Sequence, residues 1–132
     1  MISPAIHLPG TCSEAIRFYE QAFAATDIHI DYYRDAPAGS GMIITEEMQD
    51  LVMHASMTIC GTIVNLSDSA DSIFAGNMIC LNVFCDGADA VCRAYEKLKE
   101  GGRVVVELGP QFFSKMYGSV EDKFGVKWQL IS

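Results

Sequence analysis

The chain reads as an α+β domain made of two βαβββ modules, and three observations predict this. The segment Glu14-Ala15-Ile16-Arg17-Phe18-Tyr19-Glu20 returns, with one residue inserted, as Asp89-Ala90-Val91-Cys92-Arg93-Ala94-Tyr95-Glu96. Each copy follows a short apolar run, at 5–8 and 78–84. Each half also ends in an apolar run, at 62–66 and 126–131. A strand–helix start that recurs and ends in strands is one supersecondary unit used twice. The modules fall at 1–67 and 78–132 of a single domain, with 67–77 as the linker.

The elements follow in chain order. Residues 5–8 form the first strand. Thr11 and Glu14 have the spacing of a capping box, and Ile16, Tyr19 and Phe23 recur on one helical face. Strands are expected near 28–33, 51–59 and 62–66, with Cys60-Gly61 turning the last hairpin. In the second half, Val91, Tyr95 and Leu98 mark the helix, and Gly101-Gly102 stops it. Strands near 103–108 and 116–121 precede a turn at 123–125 and a last strand carrying Trp128 and Leu130 on its buried face. The segment 35–50 holds Pro37, Gly39, Ser40, Gly41 and the acidic pair Glu46-Glu47. A loop this long in a compact domain is either a pocket lid or a solvated excursion, and both readings stand.

Composition excludes several classes of function. At 132 residues, half of them hydrophobic, the chain can bury a real core. A net charge of −8 argues against a nucleic-acid partner, which needs clustered Lys and Arg. No apolar run reaches the roughly 20 residues of a membrane helix, and the N-terminus has no secretory pattern. Five cysteines without a CxxC spacing read as buried, reduced thiols in a cytoplasmic protein rather than a zinc site.

The closing Asp122-Lys123-Phe124-Gly125-Val126 with Trp128-Gln129-Leu130, paired with Leu8 to Tyr19 at the other end, resembles the vicinal oxygen chelate superfamily of glyoxalases, bleomycin resistance proteins and extradiol dioxygenases. Within it the chain is similar to the PhnB-like branch. The resemblance implies a cupped mixed eight-stranded sheet with helices packed outside, and a homodimer. It also implies a divalent metal held by His or Gln on each module's first strand and Glu on each module's last. Counting from Phe18 and Asp86 puts the first-strand positions at Pro4 and Ile79, which cannot bind metal. The last-strand positions fall at Gln129 and at Asn65 or Ser67, without a carboxylate. A hard cation wants charged oxygen or imidazole, so no metal and no other cofactor is expected. Members of this branch carry a demethylubiquinone methyltransferase label. Here no glycine-rich loop joins a parallel strand to a helix, so nothing supports methyl transfer.

The remaining candidates are polar groups on strands. His54 shares a face with Val52, Ser56 and Thr58 by strand alternation; it is a pocket residue or a structural one, and is the candidate acid or base. His7 is expected on the helix side or an edge, and His29 exposed. Gln129 points away from the Trp128 and Leu130 face, into the cup. Glu107 faces cup or rim. Tyr117, with Gln111-Phe112-Phe113, forms either an aromatic wall or ordinary packing. The expected function is binding of an unidentified small molecule through His54, Asn65, Ser67, Glu107, Tyr117 and Gln129. The alternative is a lyase, isomerase or dioxygenase-type enzyme using a relocated metal site, such as His54 with Glu107, or His54 as acid or base.

Overall fold

The computed structural model describes residues 1–132. In chain order its elements are β1 (Ala5–Leu8), α1 (Cys12–Phe23), β2 (Thr26–Tyr32), β3 (Val52–Ile59), β4 (Thr62–Asp68), β5 (Leu81–Phe84), α2 (Ala88–Leu98), β6 (Arg103–Gln111), β7 (Ser114–Glu121) and β8 (Lys127–Ile131). This is βαβββ twice. The eight strands form two four-stranded mixed sheets, β1-β4-β3-β2 and β5-β8-β7-β6, in the same order and without a closed barrel. In each sheet the module's first and last strands pair in parallel and the remaining pairs are antiparallel.

One core joins the modules. Ile16, Tyr19 and Phe23 of α1 are buried with Val91, Tyr95 and Leu98 of α2, the faces expected from helical spacing. Trp128 and Leu130 enter the same core from β8. The Trp128 ring lies 5.2 Å from Tyr19 and 5.0 Å from Phe23. Each such side chain, fully buried, contributes about 1.5–3 kcal/mol.

The ends of the elements correct two local expectations. The Thr11 side chain makes no capping hydrogen bond, and Glu14 instead pairs with Lys123 Nζ at 2.8 Å. The cap comes from far along the chain: the Cys12 amide donates to Asp68 Oδ1 at 2.9 Å, and the Val52 amide to Asp68 Oδ2 at 2.9 Å. A buried carboxylate at the end of β4 thus replaces the local box. The thiols also differ: only Cys12 is buried, Cys60 and Cys80 are exposed, and Cys85 and Cys92 are half-buried. The hairpin at Cys60-Gly61 is as expected, with φ of 46° and 85°, the paired left-handed geometry of a tight two-residue turn.

The long loop is bracketed by short 3-10 turns at Tyr33–Asp35 and Glu46–Met48. Its base is tied by Arg34 Nη1 to Asp50 Oδ1 at 2.7 Å, with Arg34 over the Tyr32 ring at 4.4 Å. No helix is long and apolar enough to cross a membrane.

Candidate functional site

Strand alternation gives each sheet a helix-packed face and an open face. In β3, Ala55, Met57 and Ile59 are buried, whereas His54 is exposed and Ser56 and Thr58 are half-buried. Val52 is also buried and does not share the face of His54 as expected. The ladder steps from Asp31↔His54 to Tyr32↔Val52, and this irregularity at Met53 turns Val52 inward.

The first sheet's open face collects all three histidines of the chain. His7 pairs with Ser67 across β1 and β4, Asp31 with His54 across β2 and β3, and His29 with Ser56. His7 therefore sits on an edge strand but faces the open side; its neighbour Leu8 is the buried residue. Its Nδ1 lies 2.9 Å from Ser67 Oγ. His54 Nε2 lies 3.0 Å from Asn65 Oδ1. Asn65 Nδ2 donates to Ser3 Oγ at 2.8 Å, and Ser3 Oγ donates to the Ile63 carbonyl. His7, His54, Asn65 and Ser67 thus converge over β4 from both flanks.

The second sheet's open face carries amides and hydroxyls. Gln129 is half-buried on the opposite side of β8 from Trp128 and Leu130, as alternation requires. It pairs with Asn82 on one side and Ser119 on the other. Tyr117 shares this face; it is buried, and Phe113 covers it edge-on at 5.1 Å. Glu107 is exposed on β6, the outer strand of this sheet. Nearby, Arg103 Nη2 lies 2.9 Å from Glu121 Oε2 and holds that carboxyl below its usual range.

The structure distributes the six expected residues over two sheets. His54, Asn65 and Ser67 belong to the first sheet, and Glu107, Tyr117 and Gln129 to the second. The three principal concavities, of about 680, 490 and 260 Å³, contain none of the six. The largest lies between the start of α2 and the Phe112–Phe113 hairpin. The other two flank β1 and β5, where the modules meet, and the 35–50 loop lines none of the three.

No three His, Cys, Asp or Glu side chains come together as metal donors, and none of the six expected residues is part of such a cluster. Pro4 and Ile79 precede β1 and β5; the open-face positions of those strands are Ala5, His7, Asn82 and Phe84. Around β4 and β8 the donors are neutral amides and hydroxyls with separate imidazoles, which do not fit a divalent ion of the superfamily type. Sequence reading missed Ser3, Asn82 and Ser119 as open-face groups. The ladder register discloses Asn82 and Ser119, and the hydrogen bond from Asn65 discloses Ser3; Asn82 shows a weak signal as the one polar residue in an apolar run.

Two modules with this strand order, two mixed four-stranded sheets and a shared helical core define the glyoxalase and bleomycin resistance fold of the vicinal oxygen chelate superfamily. The chain belongs to the PhnB-like family whose model is described as 3-demethylubiquinone-9 3-methyltransferase, which matches residues 1–131. Protein PA1353 of Pseudomonas aeruginosa is similar in structure, with a TM-score of 0.79 and 26% identity over 99% of this chain and 96% of that one. The PhnB protein of Bacillus cereus superposes with a TM-score of 0.75 and 26% identity, over 98% of this chain and 97% of that one. Protein YjdN of Escherichia coli (strain K12) is 24% identical over 141 residues, covering 98% of this chain and 92% of that protein.

Proposed function

We propose that this chain is a small-molecule binding protein that acts as a homodimer and without the superfamily's divalent ion. The carrying observation is the kind of side chain on the open faces. They present hydrogen-bonding groups, His54 with Asn65 and Ser67 on one sheet and Gln129 with Asn82 on the other, and no cluster of metal donors. Such groups orient a small polar ligand by donating and accepting. Tyr117 and Glu107 complete the second half of the site.

A second copy supplies what one chain lacks. None of the six residues lines the three principal concavities of one chain, and the open faces also expose apolar side chains: Phe84 is 70% and Ile63 41% exposed. Phe112 and Phe113 project from the β6–β7 hairpin, 101% and 54% exposed. A two-fold arrangement that sets the first sheet of one copy against the second sheet of the other covers these patches and forms two equal cups. Free thiols and an acidic surface suit a reducing cytoplasmic setting. Methyl transfer has no support, because no glycine-rich strand-to-helix loop of a cofactor site is present.

Sedimentation gives the oligomeric state, and native mass spectrometry after exposure to metabolite mixtures gives bound species. A dimer with a reproducible small-molecule adduct is the expected result. A monomer with no adduct overturns the reading. Elemental analysis with thermal shifts in divalent ions tests the metal separately, since a bound ion raises the melting temperature with its concentration.

A further inference from the structure

We propose that His54 is a general base whose Nδ1 is the proton-accepting nitrogen, acting on small uncharged carbon acids. This rests on the cup reading above for where the substrate sits, but not for the state of the imidazole.

The direction of a hydrogen-bond chain sets that state. The Ile63 carbonyl can only accept, so the Ser3 hydroxyl donates to it. Ser3 Oγ therefore accepts from Asn65 Nδ2, which also points at the Pro4 carbonyl at 3.5 Å. That orients the amide, leaving Asn65 Oδ1 as the acceptor facing His54 Nε2 at 3.0 Å. An imidazole that donates through Nε2 and is neutral carries its lone pair on Nδ1. No protein group hydrogen-bonds to His54 Nδ1, and the residue is exposed on the open face.

The surroundings select the substrate. Asp31 faces His54 directly from β2, with His29 one ladder step beyond it and His7 beyond β4. A carboxylate beside the base, on a chain of net charge −8, repels anions. The second half-site offers the amides of Asn82 and Gln129 as donors to a polarised oxygen. A carbonyl compound with an acidic neighbouring C–H fits both halves. His54 Nδ1 takes the proton, and the C–H electron pair moves into an enolate held by the amides. The imidazolium keeps its Nε2–H on Asn65 and returns the Nδ1 proton to a different atom of the same enolate. Atoms and charge balance without a co-reactant, so the net change is a tautomerisation. Asn65 and Ser3 are positioning residues.

The test uses the full chain. Long-range proton–nitrogen NMR reads the tautomer, with Nε2 protonated and Nδ1 bare in the wild type and a mixture in Asn65→Leu. Elimination of 5-nitrobenzisoxazole, an uncharged carbon acid that yields a coloured phenolate, reads the base. The expected rate is about 10²-fold that of free imidazole at equal concentration, lost in His54→Ala and kept in His29→Ala. Protonated Nδ1 in the wild type, a rate no higher than free imidazole, or a rate that survives His54→Ala overturns the proposal. A monomer with the expected tautomer and rate overturns the shared cup and not the base.

Discussion

The Tyr19 hydroxyl donates to Asp122 Oδ2 at 2.7 Å and so joins the helix of the first module to the last hairpin of the second. Trp128 Nε1 donates to the same oxygen at 2.8 Å. The other oxygen accepts from the amides of Phe124 and Val126 at 2.9 and 3.0 Å. Asp122 is buried, and all four donors are satisfied by its one carboxylate.

Asp122→Ala strands those donors in the core. The expected loss is about 3–5 kcal/mol, read as a lower midpoint in urea unfolding. Tyr19→Phe removes one bond to a charged group and costs about 1.5–3 kcal/mol. If the two variants destabilise equally, Asp122 is not the hub described.

Asp68→Ala should cost about 2–4 kcal/mol, because it uncaps α1 and frees the Val52 amide. Thr11→Ala should stay within about 0.5 kcal/mol, since Thr11 makes no cap bond. Unfolding midpoints of the pair decide between a long-range cap and a local one.

Stability should fall on the alkaline side. Burial, and then Asp68, raise the Cys12 thiol from 9.0 to about 12, and burial with Asp122 pushes the Tyr19 hydroxyl upward. Both groups have folded values above their unfolded ones, so the fold holds them neutral while the unfolded chain releases their protons. Their stabilisation is complete below pH 9 and is lost as pH rises, through about 12 for Cys12. Each group steepens the loss by up to about 1.4 kcal/mol per pH unit. Urea midpoints from pH 8 to 11 check this; Cys12→Ala and Tyr19→Phe should each flatten the decline.

Gly102→Ala should disrupt the domain. A Cβ there would lie 2.3 Å from the Glu121 carbonyl oxygen, and backbone on a paired strand cannot yield cheaply. A melting temperature within a degree or two of the wild type would show that the turn between α2 and β6 moves freely away from β7.

Much of this protein is written locally. The period of helix faces predicts Ile16, Tyr19 and Phe23 in the core, and strand alternation predicts Trp128 and Leu130 inward with Gln129 outward. The turns at Cys60-Gly61 and Gly125 follow from the glycines, which adopt a left-handed backbone without steric cost. These features depend on neighbours a few positions apart, and a single sequence carries them. The repeat carries the module order for the same reason.

Tertiary structure decided what depends on register between distant strands. The irregularity at Met53 turned Val52 inward, pairing with β4 brought His7 to the open face, and Asp68 capped a helix from 56 residues away. It also divided the candidate site between two sheets, with Asn82 beside Gln129. None of these is visible locally, because a one-residue change in pairing reverses every side chain on a strand, and pairing is set by the whole buried core.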